Sequence, residues 1–294
     1  MFTIDTENPL KLTMVSEPAP TLGQFAMSIA YSSKYQKACV LNGGAVNGVA
    51  CYSVDAEKGL TPDGVGLRKF GFPATTPPQL GGSLGSGSDI QFLGDSSKLV
   101  ATFKGRDKPK AKLGHVLVFD VDEDGNVAKT ATDNQVSPLV QPFGFALSSA
   151  SLDSIFISDV TFGGALVSLD TQTNKISVDS VVNSTTFKAS CWAIYSPALD
   201  TFYNIDAAAT DLGKVSSSGN LEGLISYTTS LEGGFDSVVD GSTSYMLTAV
   251  NELAVLDLAS GKILQTLEYG SAEDRPYWTG MAMFPASSLL SGGM

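Results

Sequence analysis

Two aspartates end runs of alternating apolar residues. Asp159 closes Ile155-Phe156-Ile157-Ser158-Asp159, and Asp206 closes Phe202-Tyr203-Asn204-Ile205-Asp206. A carboxylate held at such a strand end and desolvated there has a raised pKa and can act as a general acid or base. Capping a turn is the plainer use of the same position. The second chemical signal is Lys104-Gly105-Arg106-Asp107-Lys108-Pro109-Lys110-Ala111-Lys112, which holds five of the 18 basic residues of an acidic chain. Such a patch attracts carboxylates or phosphates. Arg106 suits a bidentate carboxylate clamp, and Lys104, nearer the strand, suits polarisation of a carbonyl. The alternative for this run is a solvated loop. Polar and aromatic residues between strands complete the candidate set: Gln24, Asn42, Gln141, Trp192, Arg275 and Trp278.

Several chemistries are excluded or weakened. One histidine, His115, rules out multi-histidine metal sites. No Gly-x-Ser-x-Gly elbow is present, and Cys191 has no histidine near it in sequence. Asp120-Val121-Asp122-Glu123-Asp124-Gly125 opens like a calcium loop, but Ala131 stands where the bidentate glutamate belongs, so no metal is expected. Eighteen basic against 30 acidic residues give a net charge of −12. That argues against a nucleic-acid partner, and no apolar run is long enough to cross a membrane. The expected partner is a small carboxylate or lactone, bound without a metal or redox cofactor.

The elements that would position these residues follow a repeat. Phe2-Thr3-Ile4-Asp5, Tyr52-Ser53-Val54-Asp55, Phe119-Asp120-Val121-Asp122 and Val167-Ser168-Leu169-Asp170 share apolar-x-apolar-Asp, while Leu256-Asp257-Leu258-Ala259 keeps only the alternation. Alternation marks a half-buried strand, and the aspartate opens a turn. Strand pairs precede these motifs, and first strands are predicted near Phe25, Ser88, Pro142, Cys191, Gly233 and Trp278. Short strands at this spacing, with no capped 3.6-residue period, predict an all-β propeller of four-stranded blades over residues 1–294, as one domain. Five blades read as complete. A sixth has outer strands near residues 1–5 and 10–16 and an inner strand near Thr279–Met283. It lacks a second strand, so the closing blade is either three-stranded or short of N-terminal sequence. Loops between second and third strands share a face with those entering first strands, and that face opens on the axial channel.

Cys39 and Cys51 flank a hairpin loop centred on Ala45. Their equal distance from the centre sets them opposite each other, as a disulfide or as two buried thiols. Cys191 is left over. Asn183-Ser184-Thr185 is a glycosylation sequon.

Leu41-Asn42-Gly43-Gly44-Ala45-Val46-Asn47-Gly48-Val49-Ala50-Cys51 resembles the fungal 3-carboxymuconate-cyclase-like branch of the lactonase β-propellers. Gln141-Pro142-Phe143-Gly144-Phe145 and Ser190-Cys191-Trp192 are similar to blade starts in that family. The resemblance implies seven blades, a lactonase or a cycloisomerase that closes a lactone without metal, and an extracellular location; with the repeat count, a monomeric propeller of six to seven blades is expected. The catalytic His, Arg and Glu of such enzymes have no match here, which leaves a non-catalytic binding propeller as the alternative. The chain as written carries no signal peptide: its N-terminus has neither a basic nor an apolar leader region.

Overall fold

The computed structural model describes residues 1–5, 7–74, 76, 85–105, 112–226, 233–271, 273 and 280–283. Five four-stranded antiparallel sheets follow one another along the chain, each a simple meander. Blade one is β3 (Ala26–Ser32), β4 (Lys37–Asn42), β5 (Gly48–Asp55) and β6 (Gly59–Pro62). Blade two is β7 (Gly87–Phe92), β8 (Lys98–Phe103), β9 (His115–Asp120) and β10 (Thr132–Asn134). Blade three is β11 (Pro142–Leu147), β12 (Ser154–Asp159), β13 (Gly163–Asp170) and β14 (Lys175–Asn183). Blade four is β15 (Ser190–Ser196), β16 (Thr201–Asp206), β17 (Asp211–Ser216) and β18 (Leu221–Ser226). Blade five is β19 (Gly234–Asp240), β20 (Thr243–Thr248), β21 (Glu252–Asp257) and β22 (Lys262–Glu268). A separate hairpin pairs β1 (Phe2–Ile4) with β2 (Leu12–Met14). No helix occurs among the described residues.

The first strands β3, β7, β11, β15 and β19 lie against one another in order, so the sheets are arranged radially about an axis. This is a β-propeller. Each sheet between two others is buried on both faces, and the period-2 alternation of side chains decides which neighbour a residue meets. On β16, Phe202 packs with Phe156 and Leu166 of blade three, whereas Tyr203 packs with Met246 and Leu256 of blade five. Both aromatic rings are wholly buried. Outer strands lose this double cover, and every residue of β22 is exposed.

The recurring strand-end aspartates act as the sequence pattern suggests. Oδ1 of Asp55 accepts the N–H groups of Glu57 and Lys58, and Oδ1 of Asp170 accepts those of Gln172 and Thr173. These bonds favour the charged form and lower both pKa values. Asp257 pairs with Lys262 as Asp170 pairs with Lys175, so blade five has its aspartate two residues earlier than the motif alignment placed it. The calcium-like run is a turn of the same kind: Asp122 Oδ1 accepts the N–H groups of Asp124 and Asn126.

Of the expected six to seven blades, five four-stranded ones occur among the described residues. Among the described residues β1 and β2 pair only with each other, and residues 280–283 form no strand. Blade one leaves one face of its first strand uncovered. Ile29 and Tyr31 on β3 stand where Ala193 and Tyr195 stand on β15. Ala193 and Tyr195 are covered by blade three, but Ile29 and Tyr31 are 62% and 52% exposed. Trp278 and Thr279 lie outside the described residues.

Candidate functional site

The site begins with an irregularity repeated in every blade. Each first strand shifts register near its start: between Ala26 and Ser28, Gly87 and Ile90, Pro142 and Phe145, Ser190 and Trp192, and Gly234 and Ser237. A bulge bends its strand and re-aims the extra side chain. Bulge residues Met27, Ser88, Asp89, Phe143, Gly144, Cys191, Phe235 and Asp236 all line one axial cavity of about 1500 Å³. The bulges therefore turn side chains that strict alternation would send between blades toward the axis. Glycine eases the approach at one of them. A Cβ on Gly144 would come within 3.0 Å of the Cys191 carbonyl oxygen and 3.1 Å of the Trp192 Cα, so a larger residue would push blades three and four apart by a few tenths of an ångström at the axis.

One wall is aromatic. Trp192 lies between Phe143 and Phe235, with ring centroids 5.0 and 4.9 Å away. The three rings come from blades three, four and five, are tilted 57° and 41° to one another, and offer an apolar wall to a ligand.

Lys104 follows β8 into this wall. It is 4% exposed, its Nζ donates to the Gly87 carbonyl at 3.1 Å, and the ammonium sits 4.2 Å from the centre of the Phe143 ring. No carboxylate pairs with it among the described residues. Burial without an anion penalises the charged form, and the Lys104 pKa falls to about 8. Cys191 lines the cavity too. Burial pushes its thiol up to about 12, so it is neither an anion nor an activated nucleophile at neutral pH.

Two carboxylates border the same space. Asp89 is fully engaged: Oδ1 accepts from Ser28 Oγ at 2.9 Å and from the Ile90 N–H, and Oδ2 accepts from Gln91 Nε2 at 2.8 Å. Asp236 accepts the N–H groups of Ser237 and Met281 at 2.9 and 2.8 Å. Burial, with the nearby Asp89 charge adding to it, raises its pKa to about 6. Sequence reading missed Asp89, Phe235 and Asp236. The signal that finds them is position: each lies within two residues of the start of a first strand.

The residues expected from sequence divide into groups. Lys104, Gln141 and Trp192 line the cavity together. Asp159 and Asp206 are wholly buried outside its lining, because their oxygens are occupied by backbone. Asp159 accepts the N–H groups of Gln141 and Thr161 and the Thr161 hydroxyl; burial still raises its pKa. Asp206 accepts the N–H groups of Lys188, Ala189 and Ala208. Both carboxylates thus bind the segment entering a blade to the turn after its second strand. Asn42 ends β4 in the equivalent place, donating to the Thr21 carbonyl at 2.8 Å, and Gln24 is exposed and accepts from Thr76 Oγ1. Neither lines the cavity. Arg106, Arg275 and Trp278 lie outside the described residues. His115 sits away from the axis, stacked on Phe72 at 3.9 Å and bonded to Asp133. Among the described residues no cluster of three or more acidic, histidine or cysteine side chains could hold a metal.

The hairpin geometry holds in detail. Cys39 and Cys51 are register partners with Cα atoms 4.1 Å apart, and they form a disulfide. The Asn-Gly-Gly run is explained by packing: a Cβ on Gly43 would lie 2.5 Å from the Gly87 nitrogen, and one on Gly44 would lie 2.9 Å from the Gln24 carbonyl oxygen.

Fold and site together define a β-propeller with a wide axial cavity walled by rings, two carboxylates and a lysine that has no carboxylate partner among the described residues. Solved structures agree on the architecture. A protein from Lactobacillus plantarum aligns with a TM-score of 0.65 at 15% identity, over 91% of this chain and 77% of its own. The periplasmic gluconolactonase of Pseudomonas aeruginosa aligns with a TM-score of 0.62 at 14% identity, over 92% and 79%. A chain of a nidogen/laminin complex aligns with a TM-score of 0.55 at 12% identity, over 84% and 81%. At these identities the likeness is one of fold. No protein-family model and no curated protein sequence matches the chain.

Proposed function

We propose that the axial cavity binds a small carboxylate or lactone, with its oxygen directed at Lys104 and its apolar body against Phe143, Trp192 and Phe235. The observation that carries this reading is the Lys104 ammonium, buried in the cavity wall with the Gly87 carbonyl as its one hydrogen-bond acceptor among the described residues. An ammonium has three donors, and an incoming anion or carbonyl would use those left over. Lactone opening needs a group that stabilises the developing oxyanion and one that takes a proton from water. Lys104 fills the first role and Asp236, poised near neutral pH, the second. Asp236 replaces Asp159 and Asp206 there, since those carboxylates hold loops. The gluconolactonase among the fold relatives and the Asn-Gly-Gly resemblance to carboxymuconate-cyclase-like proteins bring sugar lactones and muconate-type diacids forward as ligands. An extracellular, monomeric protein is part of the proposal, and the Cys39–Cys51 bridge favours an oxidising compartment.

A binding propeller without turnover is the second reading. It is favoured by the structural employment of Asp159 and Asp206, which leaves few free proton-transfer groups. Thermal shift with sugar lactones and muconate-type diacids tests the first reading. A ligand at a hundred times its dissociation constant adds about 2.7 kcal/mol, a shift of a few degrees. We expect that shift in the wild type and its loss in Lys104→Met. An undiminished shift in the variant would remove Lys104 from the site. Ring opening followed by acid release then separates enzyme from binder.

A further inference from the structure

We propose that the Lys104 side chain is an amine nucleophile that captures small aldehydes or ketones from the axial cavity as an imine. The inference shares the cavity with the function proposed above but requires no carboxylate on the ligand.

The geometry separates Lys104 from an ordinary buried lysine. Lys98, at the start of β8, is also buried, and its ammonium reaches the exposed Asp120 carboxylate. Such a partner offsets the ammonium's charge. Lys104 has instead the Gly87 carbonyl, the face of Phe143 and the neutral Cys191 thiol as surroundings. Its bond to Gly87 uses one N–H and survives deprotonation, since a neutral amine still donates. The nitrogen lone pair is then free on a side chain that lines the cavity. Desolvation in an apolar pocket is an established way of activating a lysine for carbonyl chemistry, and the pKa of about 8 agrees with it.

The step balances without an oxidant or reductant. The Nζ lone pair adds to the carbonyl carbon, the C=O π pair passes to oxygen, and oxygen takes a proton to give a carbinolamine. Loss of one water then forms the imine, and water reverses the sequence.

The test is reductive trapping on the full chain at pH 7. Propanal or glyoxylate is added with cyanoborohydride, followed by peptide mapping. Exposed Lys58 and Lys175 serve as internal references. Relative to an ordinary lysine, a pKa near 8 raises the unprotonated fraction roughly 300-fold at this pH. We expect Lys104 to label at least tenfold faster than both references, with half-maximal rate near pH 8. Lys104→Arg keeps the cation and should lose the label. Labelling no faster than Lys58 and Lys175, or confined to them, overturns the proposal. The two readings part cleanly. Labelling by propanal and glyoxylate alike supports the amine while counting against a carboxylate requirement. A carboxylate-induced thermal shift that persists in Lys104→Arg, in a wild type that does not label, keeps the binding reading and removes this one.

Discussion

Asp159 and Asp206 occupy one register position in adjacent blades, each ending the second strand opposite the first residue of the first strand, Pro142 and Ser190. Their oxygens are filled by backbone donors from the segment that enters the blade. Stability should therefore register their loss before any binding does. Asp206→Ala strands three backbone N–H groups, those of Lys188, Ala189 and Ala208. Charged buried hydrogen bonds are worth about 1.5–3 kcal/mol each and are not additive. We expect a loss of about 3 kcal/mol in urea unfolding. Unchanged stability would contradict the loop-holding role.

Asp236 should impose a pH dependence of opposite sense to that of a salt-bridged carboxylate. Its folded pKa, about 6, lies above the unfolded value. Between those two values the folded protein binds more protons, so this group lowers stability as pH rises, with the full loss present above pH 6. Two pKa units correspond to about 3 kcal/mol. Asp236→Asn keeps an acceptor for the Met281 N–H and does not ionise. Melting curves from pH 4 to 7.5 should show the variant gaining on the wild type as pH rises. Parallel curves would mean that the carboxylate is not desolvated.

Lys104 gives the mirror case. Its folded pKa of about 8 lies below the unfolded value, so the unfolded chain binds more protons between them. Stability contributed at this site rises with pH through that window. Lys104→Met removes a buried charge that has no carboxylate partner among the described residues and should stabilise the protein at pH 7 by about 3 kcal/mol. The advantage should fade as pH approaches 10.5. A destabilised variant at pH 7 would show that the ammonium has an anionic partner.

The starts of five first strands were readable from sequence to within about one residue, because alternation and turn residues are local signals, whereas the inner strand expected near Thr279–Met283 is absent from the described residues 280–283. First strands predicted near Phe25, Ser88, Pro142, Cys191 and Gly233 begin at Ala26, Gly87, Pro142, Ser190 and Gly234. The site was less readable. Lys104, Gln141 and Trp192 could be placed by loop position. Asp89 and Asp236 could not, because strict alternation does not anticipate a bulge, and the bulge turns them to the axis. Asp159 and Asp206 were read as chemistry because a strand-end aspartate looks the same whether it faces a cavity or a neighbouring loop. The difference lies in non-local backbone donors such as the Lys188 and Gln141 N–H groups.

The Cys39–Cys51 bridge ties β4 to β5 across a short hairpin. Closing a loop of this size restricts the unfolded chain by about 2–3 kcal/mol. Both sulfurs are buried, so mild reductant should act slowly on the native protein. Cys39→Ser with Cys51→Ser should lower urea stability by about that amount without moving the axial cavity. Three free thiols in the unreduced, denatured wild type would show that the bridge does not form.

Trp192 is the residue on which fold and binding surface meet. It is the middle ring of the cluster with Phe143 and Phe235, and it stands beside the approach of Gly144. Full burial of a tryptophan would make its truncation to alanine worth about 3–5 kcal/mol. Trp192 is only half-buried, because one side faces the cavity, and a loss of about 2 kcal/mol follows for Trp192→Ala. The conservative change Trp192→Phe should recover most of that stability, since a ring still separates Phe143 from Phe235. It should not recover all the affinity, because the smaller ring offers less surface to a ligand. Thermal shift with a confirmed ligand, compared across wild type, Trp192→Phe and Trp192→Ala, should decline stepwise. Equal ligand shifts in all three would place the ligand away from the aromatic wall and leave the ring cluster as packing alone.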